Sequence, residues 1–254
     1  MHRPGRQQAL ADQRAAIDRK VEEERAQDAA LQGYLEYMST LLLENKLRSS
    51  EADSEVRSLA RARTLQVLQQ LRADPTEEYT EKEDTDKEQL MEFLIEAGLI
   101  TRVDGEDPVI RLEEASLSRT DLDYEELRGT VLEAADLRGA NLKGAHLEGA
   151  DLSGANLNGA GLRAADLSDA ELINANLTQA RLIETDLTQA DFWGADLSDA
   201  ELSGANLFGA KVTDYQLEEA RSLKGATMPN GQKYEEWLKD KEGHGEGGEN
   251  DSPS

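Results

Sequence analysis

The chain contains no cysteine among its 254 residues, and only 4% of its residues are aromatic. Without cysteine there is no disulfide, no thiolate-ligated zinc site and no cysteine nucleophile. Cationic residues are also scarce: 28 Lys and Arg stand against 53 Asp and Glu, for a formal net charge of −25. Because binding to a nucleic-acid backbone requires Lys and Arg to displace counterions, the sequence predicts no direct nucleic-acid binding and favours a basic or uncharged partner.

Long apolar runs are missing as well. None approaches the roughly 18 residues that a membrane-spanning helix needs. Residues 1–20 alternate charges and alanines without the apolar segment of a signal peptide. Together with the absence of cysteine, these features predict a cytoplasmic protein.

Residues 1–110 have the patterns of about three α-helices. The first carries an apolar stripe with a 4-3-4 spacing, formed by Leu31, Leu35, Met38 and Leu42. Towards the N-terminus Arg14, Glu24 and Asp28 interrupt this stripe, so a polar helix is favoured over a continuous coiled coil.

The second helix begins after Ser54, a candidate N-cap. Its apolar side is predicted to comprise Val56, Leu59, Ala60, Val67, Leu68 and Leu71. The third opens with Thr85 and Glu88 at capping-box spacing and can end at Gly98. It is predicted to bury Leu90, Phe93, Leu94 and Ala97. We expect the three helices to form a small bundle, with an exposed acidic loop near residues 73–86.

From Leu112 to Leu217 a large apolar residue recurs at every fifth position, 22 times in succession. Two residues before each one the position is mostly alanine, with Glu125 and Tyr215 as misfits. A period of five matches neither an α-helix nor a β-strand. A chain that turns a corner every five residues keeps one large and one small side chain inside on each side. Four sides then close a coil, and coils stack at roughly 4.8 Å.

The run A(D/N)LxG, as in Ala150–Gly154 and Ala205–Gly209, resembles the pentapeptide-repeat family. The resemblance implies a right-handed quadrilateral β-helix of about five to six coils. We therefore expect a mainly β solenoid over residues 111–228, preceded by the small α-helical region. A one-residue shift after Leu217 is predicted to move the next core positions to Leu223 and Met228.

The C-terminal region is predicted to cap the solenoid with a short helix over residues 229–241, followed by a disordered tail over 242–254. Tyr234, Trp237 and Leu238 fall on one side of that helix. Residues from about Arg25 to Ile100 also resemble a helical segment that precedes the repeat in many bacterial members of the family. Some relatives of that arrangement have membrane-spanning helices further upstream, so membrane association follows here only by family analogy.

Catalytic motifs are missing from the sequence. His2, His146 and His244 are scattered, with no second metal ligand at helical or turn spacing. The chain has no G-x-S-x-G motif, no G-x-G-x-x-G motif and no Walker A motif. The sequence therefore predicts a protein that is not an enzyme and has no cofactor and no metal.

The twenty-residue coil predicts which surface residues stack. One side is expected to align three acids, with Ile173 next to Trp193 beside them, and the adjoining side is expected to carry two further acids and a phenylalanine. The candidate partner surface comprises Asp151, Glu171, Asp191, Ile173, Trp193, Phe208, Asp166 and Asp186. Like charges at this spacing repel by roughly 1 kcal/mol even in water, and a partner bringing Lys or Arg relieves that repulsion. The alternative is that Asp is simply common in the motif and that single exposed apolar residues need no explanation.

Two functions follow from these features. The first is a non-catalytic scaffold that offers flat faces to an unidentified protein partner. The alternative, implied by the resemblance, is a DNA mimic that modulates DNA gyrase, as some pentapeptide-repeat relatives do. Within residues 164–210 nine acids stand against Arg181 alone, which favours mimicry. The helical region and the short stack count against it, unless the chain forms a homodimer.

Overall fold

The computed structural model describes residues 4–44, 47–71, 85–103 and 105–245. The chain divides into two compact units, Met1–Arg72 and Ala73–Ser254. Most of the predicted acidic loop (residues 72–84) and the end of the predicted tail (residues 246–254) lie outside the described residues. The division between the compact units thus falls after residue 72 of the chain, whereas the sequence predicts a boundary near residue 110.

The first unit contains α1 (Pro4–Leu43), a short 3₁₀ turn (Leu47–Ser49) and α2 (Glu55–Gln70). Every α1 residue from 8 to 26 is exposed. Leu31, Tyr34, Met38 and Leu41 are buried. Tyr34 and Leu41 therefore take the places predicted for Leu35 and Leu42, which are half-buried. The stripe is rotated because the Tyr34 hydroxyl reaches Thr64 Oγ1 of α2 at 2.8 Å.

Helix α2 begins as predicted, with Ser54 as its N-cap. The Ser54 side chain accepts a hydrogen bond from the Arg57 N–H at 3.4 Å. The buried side of α2 includes Thr64, whose hydroxyl donates to Ala60 O at 2.8 Å. Leu59, predicted to be buried, is exposed instead. Thr64 lies on the buried side of α2 because its hydroxyl is hydrogen-bonded to Tyr34 and to Ala60 O. Leu59 lies on the opposite side of the helix.

Helix α3 (Thr85–Glu96) belongs to the compact unit of the repeat. Its last helical residue is Glu96, and the predicted stop, Gly98, follows with a left-handed φ of +57° and donates to Ile95 O at 2.8 Å. The following segment bonds to the repeat: Ile110 N–H donates to Leu99 O at 2.7 Å, and Arg102 N–H donates to Arg128 O at 3.0 Å. The expected three-helix bundle is thus divided between the two units.

A misfit of the repeat, Glu125, lies near α3. Glu125 stands where alanine is usual, and its pKa is raised above the ordinary value. Burial is the main cause, and the carboxylate of Glu92 on α3 is the next largest. The acidic side of α3 therefore lies near the misfit position, at the start of the repeat.

The repeat buries 21 of its 22 predicted core positions, and the exception is half-buried Val212. Parallel bridges join residues twenty apart, from Ser116–Asp136 to Asp191–Lys211. Each bridge is a single residue pair, and no extended strand forms among the described residues. The twenty-residue register predicted from the sequence is therefore present as successive turns joined by isolated bridges.

One repeat unit shows how the backbone is satisfied. Leu152 N–H donates to Glu171 O at 2.8 Å, and Gly154 N–H donates to Ile173 O at 2.7 Å. Within the unit, Ala155 N–H closes a turn on Leu152 O at 3.0 Å. Gly154, the third residue of that turn, has φ +66°, a conformation that costs glycine little. The motif therefore places glycine where the chain turns its corner.

The repeat changes register once, near its end. Bridges Glu201–Ser222 and Asn206–Thr227 join residues 21 apart, which confirms the predicted one-residue shift. The extra residue is accommodated in α4 (Asp214–Glu218), a helix that the sequence analysis did not predict. Thr213 caps α4 in a capping box with Gln216.

The C-terminal helix α5 runs over Tyr234–Gly245, beginning and ending later than the predicted range of 229–241. Tyr234 N–H donates to Ala226 O at 2.9 Å, and the Glu235 carboxylate accepts from the Gly225 N–H at 2.8 Å. Helix α5 is thus bonded to the last turn of the repeat. In the described part of the chain, no helix combines the length and the hydrophobicity needed to cross a membrane.

Candidate protein-binding surface

The three acids predicted to stack do lie on consecutive turns. Bridges connect Asp151 to Glu171, Glu171 to Asp191, and Asp191 to Lys211. We call Asp151, Glu171 and Asp191 the acid ladder. Lys211, twenty residues after Asp191, lies at the end of the ladder. It follows directly on the acid-rich stretch 164–210 and does not belong to the predicted surface.

Lys211 neutralises the last acid of the ladder. Its Nζ donates to Asp191 Oδ2 at 2.8 Å. This hydrogen bond lowers the pKa of Asp191 below its usual value and raises the pKa of Lys211. Among the described residues, neither Asp151 nor Glu171 has a cation within ion-pair distance. The unpaired part of the ladder is therefore its lower end.

Two of the three ladder acids also accept hydrogen bonds from the backbone of the repeat. Asp151 Oδ1 accepts from the Ser153 N–H, and Asp191 Oδ1 accepts from the Trp193 N–H, each at 3.0 Å. Asp and Asn are common at turns because they bond to backbone N–H groups two residues on. The exposed Glu171 makes no such bond in the structure, which leaves its carboxylate available to a partner.

Beside the ladder, Ile173 and Trp193 lie on adjacent turns and line an open groove of about 780 Å³. Val212, Tyr215 and Gln216 also line it, as do Asp191 and Lys211 of the ladder side. We call this feature the α4 groove. Trp193 and Tyr215 are each 70% exposed. The sequence predicted the pairing of Ile173 with Trp193, whereas Tyr215 was noted only as a misfit of the repeat.

Helix α4 carries part of the groove lining and is held in place by hydrogen bonds. Gln216 Nε2 donates to Ala195 O at 2.9 Å, which accepts no backbone hydrogen bond from the described residues, and to Phe192 O at 2.7 Å, which also accepts from the Ala195 N–H. From α5, Lys241 Nζ pairs with Asp214 at 3.0 Å and with Glu218 at 2.6 Å. Helix α4 is thus bonded both to the last turns of the repeat and to α5.

The adjoining side carries the remaining predicted residues. Asp166 and Asp186 are bridged, and each accepts hydrogen bonds from a Ser or Thr two residues on. Phe208 is 51% exposed and lies against Gly231, in the turn before α5. Phe208 is not among the residues that line the α4 groove. The structure therefore separates Phe208 from Ile173 and Trp193.

His146 lies between two glutamates. Its ring nitrogens are each 3.8 Å from a carboxylate, one of Glu126 and one of Glu148, and Arg128 pairs with Glu148 at 3.0 Å. Over the described ranges, no group of three or more His, Asp or Glu residues has the geometry of a metal site.

The acids of residues 164–210 are partly neutralised by cations that lie outside this range of the sequence. Cations from just outside this range pair with three of its nine acids. These pairs are Arg163–Glu184 at 3.1 Å, Lys211–Asp191 at 2.8 Å and Arg221–Asp199 at 4.0 Å. The acidic surface is therefore a patchwork of free and paired carboxylates.

Comparison with known proteins identifies the family of the repeat. The family described as Pentapeptide repeats matches in 8 copies, over residues 110–149, 145–182 and 175–214. Rfr23, a pentapeptide repeat protein from the cyanobacterium Cyanothece 51142, is 37% identical, with 40% of this chain and 66% of Rfr23 covered and a TM-score of 0.36. The pentapeptide repeat protein alr5209 from Nostoc Pcc 7120 is 30% identical, with 43% of this chain and 84% of its own covered and a TM-score of 0.23.

QnrB1, a plasmid-mediated fluoroquinolone resistance protein, is 18% identical, with 56% of this chain and 76% of its own covered and a TM-score of 0.27. No curated protein sequence matches the chain. This chain spans less than two thirds of the length of Rfr23. The TM-scores are low, so the family assignment rests on the repeat matches and on sequence identity. The chain belongs to the pentapeptide repeat family.

Proposed function

We propose that the chain is a non-catalytic protein-interaction scaffold. Its repeat forms a right-handed quadrilateral β-helix of about five to six coils, and its binding surface is the side that carries the acid ladder and the α4 groove. The observation that carries the proposal is the coincidence of two exposed aromatic rings, Trp193 and Tyr215, with the one register change of the repeat.

The groove supports this function because its exposed aromatic side chains are costly to leave in water. Trp and Tyr are the residues most enriched at the centres of protein interfaces. Earlier in the repeat, apart from Glu125, the position of Tyr215 holds a small buried residue, mostly alanine. Here α4 turns this position outwards and places a large ring beside Trp193. A local change in the scaffold thus produces a surface with the composition of a binding site.

The test is affinity capture from the native cell extract with the full chain as bait. A Trp193→Ser variant removes the groove's largest ring. An Ile183→Ser variant is the matched control, since Ile183 lies half a turn away, ten residues after Ile173. We expect Trp193→Ser to lose captured proteins that the wild type and Ile183→Ser retain. Identical capture profiles for all three baits contradict the proposal.

The alternative is a DNA mimic acting on DNA gyrase. The observation in its favour is that Asp169 and Glu171 have no cationic partner within ion-pair distance in the described ranges. The interspersed ion pairs of Arg163, Lys211 and Arg221 reduce the continuous negative field that mimicry of duplex DNA requires. A gyrase supercoiling assay with the added protein separates the two functions. Inhibition at micromolar protein supports mimicry, and unchanged supercoiling removes it.

A further inference from the structure

We propose that the α4 groove binds an extended peptide segment of a partner protein. The segment carries an aliphatic or aromatic residue and, two residues along the chain, a lysine or arginine. The apolar residue lies between Ile173, Trp193 and Tyr215, and the cation pairs with Glu171. This inference rests on the proposed scaffold function and names the partner chemistry of the same surface.

The spacing of the motif comes from the repeat itself. In the turn that lines the groove, Glu171 is exposed, Leu172 is fully buried and Ile173 is partly exposed. Residues two apart in an extended chain face the same way and lie about 6.6–6.8 Å apart. An extended partner has the same spacing between its residues i and i+2. One apolar side chain on Ile173 therefore places the residue two positions away over Glu171.

The charge of the partner follows from which acid is available. Asp191 already accepts hydrogen bonds from Lys211 Nζ and from the Trp193 N–H. Lys211 also repels a second cation from that end of the ladder. Glu171, one turn below, is exposed and has no ion pair within the described ranges, and Lys211 acts on it only through longer-range electrostatics. A cation on the bound segment therefore settles at Glu171, and the net charge of −25 attracts such segments over longer distances.

The apolar half of the site is preformed. Gln216 and Lys241 hold α4, the helix that carries Tyr215, and Trp193 lines the same groove. The groove is an open depression of about 780 Å³, with room for peptide side chains. A fixed α4 lowers the entropy lost on binding, which favours a short segment.

The experiment uses fluorescence anisotropy of a labelled peptide titrated with the full chain. The probe is the end-blocked peptide Thr-Leu-Thr-Lys-Thr-Leu-Thr-Lys, in which each leucine precedes a lysine by two residues. One control peptide has the same composition with leucine and lysine adjacent, and another has glutamate in place of lysine. The protein variants are Ile173→Ser and Glu171→Gln. Their matched controls, Ile183→Ser and Glu201→Gln, lie half a turn away.

We expect saturable binding of the probe, weakened about tenfold or more by Ile173→Ser and about threefold by Glu171→Gln. The two control variants bind like the wild type, and both control peptides bind at least about threefold more weakly than the probe. Equal binding of the probe and the adjacent-residue peptide overturns the inference. So does binding that Ile173→Ser leaves unchanged, or a groove occupied by a second copy of the chain, seen as dimers that Ile173→Ser dissolves.

Failure of this inference is distinguishable from failure of the scaffold function. If the probe does not bind but Trp193→Ser still loses proteins in affinity capture, the scaffold function stands and the peptide chemistry is wrong. If capture is also unchanged, both fail.

Discussion

The two compact units of the chain differ in how their residues are buried. In the repeat, nearly every five-residue unit buries one large residue, mostly leucine, and one small residue, and backbone hydrogen bonds join each turn to the next. In the helical unit, a 40-residue α1 leaves residues 8–26 exposed and packs on α2 through its last part only. One unit therefore derives its stability from repetition, and the other from a few individual contacts.

The largest predicted effect comes from breaking the repeated core. Leu157 is fully buried in the middle of the leucine column. Leu157→Asp places a carboxylate there and is expected to cost more than about 4 kcal/mol of unfolding free energy. Circular dichroism during thermal melting should show the repeat unfolded while the helical signal of α1 and α2 remains. The control Asn174→Asp, at an exposed corner, should melt like the wild type; an undisturbed melt for Leu157→Asp contradicts the stacked core.

The second prediction concerns the helical unit, where the buried side chains of Tyr34 and Thr64 join α1 to α2 by a hydrogen bond. Tyr34→Phe removes the hydrogen bond between the Tyr34 hydroxyl and Thr64 Oγ1 and is expected to cost about 1 kcal/mol at neutral pH. The measurement is urea unfolding followed by helical ellipticity. Equal stability of Tyr34→Phe and the wild type would show that the hydroxyl pair is incidental.

The same pair predicts a pH dependence. Burial raises the pKa of Tyr34, and the hydrogen bond with Thr64 offsets part of that rise. A raised folded-state pKa gives stability that is fully present below the unfolded value of about 10 and lost as the pH rises beyond it. Between pH 9 and 11 the wild-type helical unit should therefore lose more stability than Tyr34→Phe. Parallel pH profiles of the two proteins contradict this account.

A third effect, similar in size to that of Tyr34→Phe, is expected where the repeat meets its non-repetitive end. Gln216→Ala removes the side-chain donor that serves Phe192 O and Ala195 O, at a cost of about 1–2 kcal/mol. Chemical denaturation followed by tryptophan fluorescence measures it, because Trp193 lies beside α4. The control Gln179→Ala removes an exposed glutamine of the repeat and should change stability by less than about 0.5 kcal/mol. If the two variants are equally stable, α4 is not anchored as described.

The smallest effect is expected on the exposed part of α1. Ile17→Ser should change the unfolding free energy by less than about 0.5 kcal/mol, because Ile17 contacts no core. Leu31→Ser, fourteen residues on in the same helix, should cost about 3 kcal/mol. Urea unfolding of the two variants measures the contrast. A large effect of Ile17→Ser would mean that the N-terminal part of α1 is covered in solution.

The same contrast explains what the sequence could predict. A five-residue period with one large and one small inward position has few solutions, so the core of the repeat, the stacking of Ile173 with Trp193 and the register shift after Leu217 were predictable from spacing alone. The α-helical stripe was less determined. Leu31 and Met38 belong to two overlapping patterns, and only the Tyr34 contact with Thr64 decides between them.

The candidate site was predicted in part, and each omission has a physical reason. Thr213 and Gln216 have the spacing of a capping box, but the leucine period through Leu217 concealed the α4 helix they begin. Lys211 lies outside the acid-rich stretch in sequence, and only the twenty-residue stacking brings its ammonium onto Asp191. Phe208 was grouped with Trp193 because both are exposed and apolar, whereas the turn at Gly231 places that ring with the C-terminal region instead. Long-range contacts of this kind leave no period in the sequence.

The central claim is that residues twenty apart lie on adjacent turns of the repeat. Because the chain has no cysteine, a pair of introduced cysteines can carry pyrene labels at chosen sites alone. Ser153→Cys with Ile173→Cys places the labels on adjacent turns, whereas Ser153→Cys with Arg163→Cys places them half a turn apart. The account predicts strong excimer emission for the first pair and monomer emission for the second. Excimer emission of equal strength in both pairs, or none in the first, would contradict it.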